Sequence, residues 1–279
     1  MDMRTPSSPA NPATQAVALA VVQGHMGELV QGRLNDALAL VTLPCHKVRV
    51  RARLADRPSH LPLVARMAAR LGQPDAAVEI MANVPAGCGA GVSTASALAT
   101  LRLLAPNLSP EAENAHLLAV EGAVDPLAYA TNPPRIWASR RAKTLAILPT
   151  FPALVAVGGF DGPGQQTDPT DLNFPDMAAA FELLHRPTPE NIGRAASLSA
   201  LANQQRNPRP NWAAAQALAA ETGALGIAVA HTGAALSLLY MPGTPGISRA
   251  QAGLAALGLT HVMRFAFGGS TPMLGDDEH

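Results

Sequence analysis

The sequence predicts an α+β fold, and three observations carry that prediction. Residues Lys47–Leu54 alternate strictly, with Val48, Val50, Ala52 and Leu54 on one side and Lys47, Arg49, Arg51 and Arg53 on the other. Period two marks a strand with one buried face and, here, a basic solvated face. Several longer segments instead carry helical spacing between capping signals. The two kinds of segment follow one another without the strict βαβ alternation of a doubly wound parallel sheet. Hydrophobic residues make up 48% of the 279 positions, which suits a large core in one domain or in two closely packed halves.

In chain order, Met1–Thr14 is rich in Pro, Ser, Ala and Asn and reads as a disordered leader without the features of a secretion signal. Ala16–Val22, Ala37–Leu43 and Lys47–Leu54 have strand length. Leu61–Leu71 is helical and stops at Gly72, where a positive φ closes a helix cheaply. Ala76–Ala82 is the next strand, and Ser93–Leu104 an Ala/Leu-rich helix. Pro110–Glu121 is a helix opened by Ser109 as cap and by Pro110, which needs no donor at the first position. Strands are expected at Lys143–Leu148 and Ala153–Gly158. Asp161–Asp176 is the longest irregular stretch, and loops of that length are functional or mobile. Helices at Asp176–His185, Pro189–Gln205 and Asn211–Thr222 follow, then a strand at Leu225–Ala230, a helix at Ser248–Leu257 and a strand at His261–Phe267.

With 20 basic and 20 acidic residues the net charge is zero, so no basic field draws in nucleic acid without sequence preference. No apolar stretch reaches the roughly 18 residues of a membrane span. Two cysteines, Cys45 and Cys88, are too few for a disulfide framework or a Cys-based zinc site and read as reduced thiols of a cytoplasmic protein.

The strongest chemical signal is Pro85-Ala86-Gly87-Cys88-Gly89-Ala90-Gly91-Val92-Ser93-Thr94-Ala95-Ser96, between a strand and a helix. Glycines at alternate positions let the backbone approach a ligand and turn amide N–H groups inward. The helix then starts at a hydroxyl cluster, and its exposed amides and positive dipole end favour an anion such as phosphate. Ser93 or Thr94 can also offer oxygen to Mg²⁺. The loop lacks the lysine of a Walker A motif and the spacing of a Rossmann fingerprint. Shortly after, Glu121 and Asp125 stand four residues apart across a helix end. A carboxylate in the last turn opposes the helix dipole, a placement a metal would justify. Phosphoryl transfer needs both charge neutralisation and an oriented nucleophile, roles that suit Glu121 and Asp125 in that order. Taken singly, the pair also reads as a solvated Glu and a turn-forming Asp before Pro126.

Two flanking motifs, Gln23–Gly32 and Ala230–Leu239, contain small residues beside strands and by themselves read as turns. His25 and His231 read as packed or surface histidines, since no spaced ligand set accompanies them.

The loop resembles that of the GHMP kinases, named for galactokinase, homoserine kinase, mevalonate kinase and phosphomevalonate kinase. Their loop runs approximately Pro-x-x-x-Gly-Leu-Gly-Ser-Ser-Ala, and Pro85, Gly89, Gly91 and Ser93 stand at the matching places, with Ala90 for Leu and Val92 for the first Ser. Glu121-Gly122-x-x-Asp125 resembles the acid pair of the same family. Gly27–Gly32, Ser93–Ala95, Gly159–Asp161 and His231–Gly233 resemble, in order, segments of the bacterial L-threonine kinases of cobalamin biosynthesis. The resemblance implies a first half, 15–150, like the second domain of ribosomal protein S5, and a ferredoxin-like second half, 151–279. It implies ATP along Pro85, Gly87, Gly89, Gly91, Ser93 and Thr94, Mg²⁺ on Ser93 and Glu121, and Asp125 as catalytic base. It also implies a small hydroxyl-bearing substrate near Glu28, His231, Thr232 and Asp161. Other acceptors, homoserine or a sugar among them, and a nucleotide-binding regulator without catalysis stay open on the sequence.

Overall fold

The computed structural model describes residues 19–57, 59 and 61–269. The expected leader Met1–Thr14 and the first residues of the strand expected at Ala16–Val22 lie outside them. The chain begins with a long antiparallel hairpin, β1 (Leu19–Leu34) and β2 (Ala37–Leu54). Asn35 sits in its tight turn at φ 55°, a conformation that asparagine tolerates well. Val48, Val50 and Ala52 are fully buried, while Arg51 and Arg53 are exposed, as the alternation predicts. Leu54, at the end of β2, is exposed instead of buried.

The two strands expected around Pro44 are one strand. Pro44 pairs with His25 where the register shifts, and a residue without an amide is tolerated at such a bulge. The motif Gln23–Gly32, expected as a turn, lies inside β1. Bulges at Gln23/Gly24, His25/Glu28 and Glu28/Val30 and a positive φ of 76° at Gly27 bend it, and nearly every residue from Met26 to Val30 is buried, so no alternation appears in the sequence.

After α1 (Pro62–Arg70) come β3 (Val78–Ala82), α2 (Val92–Leu104), α3 (Pro110–Glu121), β4 (Arg135–Ala138) and β5 (Lys143–Ile147). The sequence reading omitted β4, a strand of four residues whose last three are buried. The second half runs β6 (Leu154–Phe160), α4 (Ala178–Leu184), α5 (Pro189–Arg206), α6 (Trp212–Thr222), β7 (Gly226–Val229), β8 (Ala235–Tyr240), α7 (Ile247–Ala256) and β9 (Thr260–Phe267). The late motif, expected as a turn, contributes most of β8, which is buried throughout.

The strands form one sheet in the order β5-β4-β2-β1-β7-β8-β6-β9, with β3 on β2. Its second-half strands, β7-β8-β6-β9, with α5 and α7 as crossovers, have the ferredoxin-like βαββαβ order. The halves join where Glu28 of β1 pairs with Val229 of β7. That seam lies beneath the glycine-rich loop, so the loop rests on both halves. Cys45 and Cys88 are both free and buried.

Candidate active site

The glycine-rich loop leads from β3 into α2, whose N-cap is Gly91 at φ 68°. Its carbonyls are spent on the seam. Gly89 O accepts from the Gly27 amide at 2.9 Å, Ala90 O from the His25 amide at 3.2 Å, and Cys88 O from the amides of Ala234 and Ala235 at 3.0 and 2.9 Å. With the carbonyls turned to the protein, the opening amides of α2 at Val92–Thr94 have no acceptor one turn back in their own helix. They front a cavity of about 560 Å³ lined by Gly87, Gly89, Gly91, Ser93 and Thr94. The glycines serve packing as much as approach. A Cβ on Gly89 would stand 2.1 Å from Ala230 Cβ, and one on Gly91 2.6 Å from the His25 ring. Pro85, expected at the nucleotide, does not line this cavity, while Ala86 does.

Glu121, the last residue of α3, faces the start of α2. Ser93 Oγ donates to Glu121 Oε1 at 2.5 Å. Glu121 Oε2 is buried and has no hydrogen-bond partner among the described residues. Burial above all pushes the Glu121 carboxyl up to about 7, with hydrogen bonds from Ser93 and Thr94 opposing and the charge of Asp125 adding to it. A buried, orphaned carboxylate oxygen beside a serine hydroxyl is a donor set that fits a hard divalent cation such as Mg²⁺. The protonation has a consequence for stability. The folded protein holds this proton more tightly than the unfolded chain, so the contribution is complete below about 4.5 and is lost as pH rises to about 7. Urea melts across that window in metal-free buffer should show the decline, and Glu121→Gln should flatten it. An unchanged slope in the variant would show that Glu121 titrates normally.

Asp125 follows α3 on a segment pinned from behind. The indole of the fully buried Trp137 donates to Val124 O at 2.7 Å, and the Val124 amide donates to Ser139 O at 3.1 Å. In front of it stands His25, with Nε2 3.1 Å from Asp125 Oδ2. His25 Nδ1 lies 3.1 Å from Gly27 O, and a carbonyl only accepts, so Nδ1 carries a hydrogen. A neutral ring would then turn its Nε2 lone pair on a carboxylate. That arrangement favours a second proton on the ring, the imidazolium form. Burial works against that charge, but Asp125 and then Glu28 outweigh it and hold His25 above its ordinary value. His25, Glu28 and Asp125 bring one atom each within 4.8 Å of one another.

The predicted substrate residues divide. Glu28 and Thr232 line the cavity. Glu28 Oε2 also accepts from the His231 amide at 3.0 Å and so ties the halves together. His231 is buried away from the cavity lining, with Nε2 3.2 Å from Ser199 Oγ. Asp161 does not reach the cavity either. Its carboxylate accepts from Asn211 Nδ2 at 2.7 Å and braces the start of α6. Both residues sit in long-range packing that their local motifs cannot reveal.

The irregular stretch after β6 instead brings Gln165, Gln166 and Thr167 to the cavity. The Gln165 amide donates to Gly87 O at 2.8 Å. Arg140 donates to the carbonyls of Pro169 and Asp168 at 3.0 Å each, and Arg206 pairs with Asp171 at 2.5 Å. Arg66 and Arg140 also line the cavity. The sequence reading missed Arg66, Arg140 and the role of His25, and only the length of the loop hinted at its use.

No protein-family model and no curated protein matches the chain. Solved structures do match. A mevalonate kinase from methicillin-resistant Staphylococcus aureus MRSA252 is 15% identical, with 91% of this chain and 99% of that one covered and a TM-score of 0.61. The Methanococcus jannaschii mevalonate kinase is 9% identical, with 91% and 98% covered and a TM-score of 0.65. A putative homoserine kinase from Listeria monocytogenes is 16% identical, with 91% and 99% covered and a TM-score of 0.60. The chain has the GHMP kinase fold. No described helix is long and apolar enough to cross a membrane.

Proposed function

We propose that this protein is a kinase that transfers the γ-phosphoryl group of ATP to the hydroxyl of a small molecule, and that the acceptor is L-threonine, for cobalamin biosynthesis. The observation that carries the reading is the buried, unpartnered Glu121 Oε2 beside Ser93, at a helix N-terminus that faces Asp125. The opening amides of α2 bind phosphate oxygens. Ser93 and Glu121 would hold Mg²⁺, which would offset negative charge on the phosphates. The acceptor oxygen attacks the γ-phosphorus, the bond to the ADP oxygen breaks, and the hydroxyl proton passes to Asp125. His25, 3.1 Å from its Oδ2, orients the Asp125 carboxylate.

Glu28, in the same cavity, supplies a carboxylate oxygen for an ammonium group. The four short segments from Gly27 to Gly233 that resemble L-threonine kinases support the choice of acceptor. Phosphorus NMR on purified protein with ATP, Mg²⁺ and hydroxyl amino acids tests it. O-phosphothreonine should form, with L-threonine favoured over L-serine by about 10–200-fold for the one extra methyl. Equal or faster turnover of L-homoserine would remove the threonine assignment. ATP binding without transfer to any alcohol would replace the kinase reading by a non-catalytic nucleotide binder.

A further inference from the structure

A second cavity, of about 720 Å³, lies beside the first and shares one lining residue with it, His25. Val41, Pro44, Phe151 and Phe267 give it apolar walls. Among the described residues no Asp or Glu lines it, while Arg102 and Arg135 do. Arg102 is neutralised in place by Glu113, through bonds of 2.6 and 2.8 Å. Arg135 is not. Its Nη1 donates to Thr144 Oγ1 at 3.2 Å, and its guanidinium lies 4.0 Å from the centre of the Tyr129 ring. The nearby Glu111 is engaged at 3.2 Å by the Tyr129 hydroxyl. These two contacts hold the guanidinium and leave its Nε/Nη2 edge unspent among the described residues, the edge that takes a carboxylate or phosphate in a fork. A cavity of this size with apolar walls on one part and a positioned cationic fork has the make-up of a small-molecule site.

We propose that this cavity is a second binding site, for a small organic anion with an apolar body seated on Arg135. It stands apart from the phosphate loop and does not depend on the kinase reading. Because His25 lines both cavities, an occupant here would lie beside the residue that faces Asp125.

Isothermal titration with benzoate, against the neutral benzamide, tests the proposal. Benzoate should bind the parent protein saturably at one site, and benzamide more weakly by about tenfold or more, the loss of a charge-assisted bond. Arg135→Gln should weaken benzoate by a similar factor. Val21→Glu is the second variant: Val21 lines the cavity, is 46% exposed and tolerates a polar side chain, and the added carboxylate repels the anion. Ser93→Ala, at the phosphate loop, should leave the titration unchanged. Absence of saturable benzoate binding, full-strength binding in either cavity variant, or loss of binding in Ser93→Ala would each overturn the proposal. Phenyl phosphate in place of benzoate then tells which anionic head the fork prefers.

Discussion

Asp125→Asn is expected to lower turnover by about 10²–10⁴-fold, the usual contribution of a general base, while ATP and Mg²⁺ still bind. The amide keeps the shape of the carboxylate and the support from Trp137 behind it, but it cannot take the hydroxyl proton or balance the His25 imidazolium. Added Mg²⁺ should not restore the rate. Glu121→Gln makes the contrast, because it removes a charged oxygen from the metal site and leaves Asp125 and His25 untouched. Its defect is in metal occupancy, so excess Mg²⁺ should recover part of the activity. Single-turnover rates at limiting and saturating Mg²⁺ separate the two variants. Near-parental turnover in Asp125→Asn would rule out an essential base at that position.

Gly89→Ala should cost several kcal/mol of stability although it adds one methyl group. Gly89 has φ 75°, where a residue with a Cβ pays roughly 1–2 kcal/mol. The new carbon would also lie 2.1 Å from Ala230 Cβ and 2.6 Å from Thr232 O, and overpacking of that kind costs about 1–3 kcal/mol more. The melting temperature should fall by more than about 5 °C, on the scale of roughly 2–4 °C per kcal/mol for domains near this size. Gly72→Ala is the control: φ there is 72°, but a Cβ meets nothing within 4 Å, so only the backbone cost applies. Equal melting temperatures for the two variants would show that the loop does not bear on the seam between the halves.

That contrast shows what local sequence conveys. The alternation at Lys47–Leu54 and the capped helix Pro110–Glu121 were legible because burial on one face and satisfaction of end groups act within a few residues. The loop from Gly87 to Thr94 was legible as a glycine-rich turn into a helix for the same reason, since glycine spacing and a helix start are local features. β4 and β8 were not legible, being short and largely buried, and neither was the strand character of Gln23–Gly32, because a bulged strand buried on both faces has no period to read.

By itself the sequence determined the α+β class, the helix ends, the glycine-rich turn into α2 and the spacing of Glu121 and Asp125 across a helix end, all set along the chain. Only the tertiary structure decided what those groups face. It placed His25 against Asp125, a hundred residues away, with Nε2 3.1 Å from Oδ2. Among the described residues it left Glu121 Oε2 without a hydrogen-bond partner. It drew Asp161 and His231 into the packing, with Asn211 and Ser199, and kept them from the cavity. The physical reason is that protonation and desolvation depend on which charges and which walls surround a group. Those neighbours are chosen by sheet order, where β1 pairs with β7 and joins the two halves.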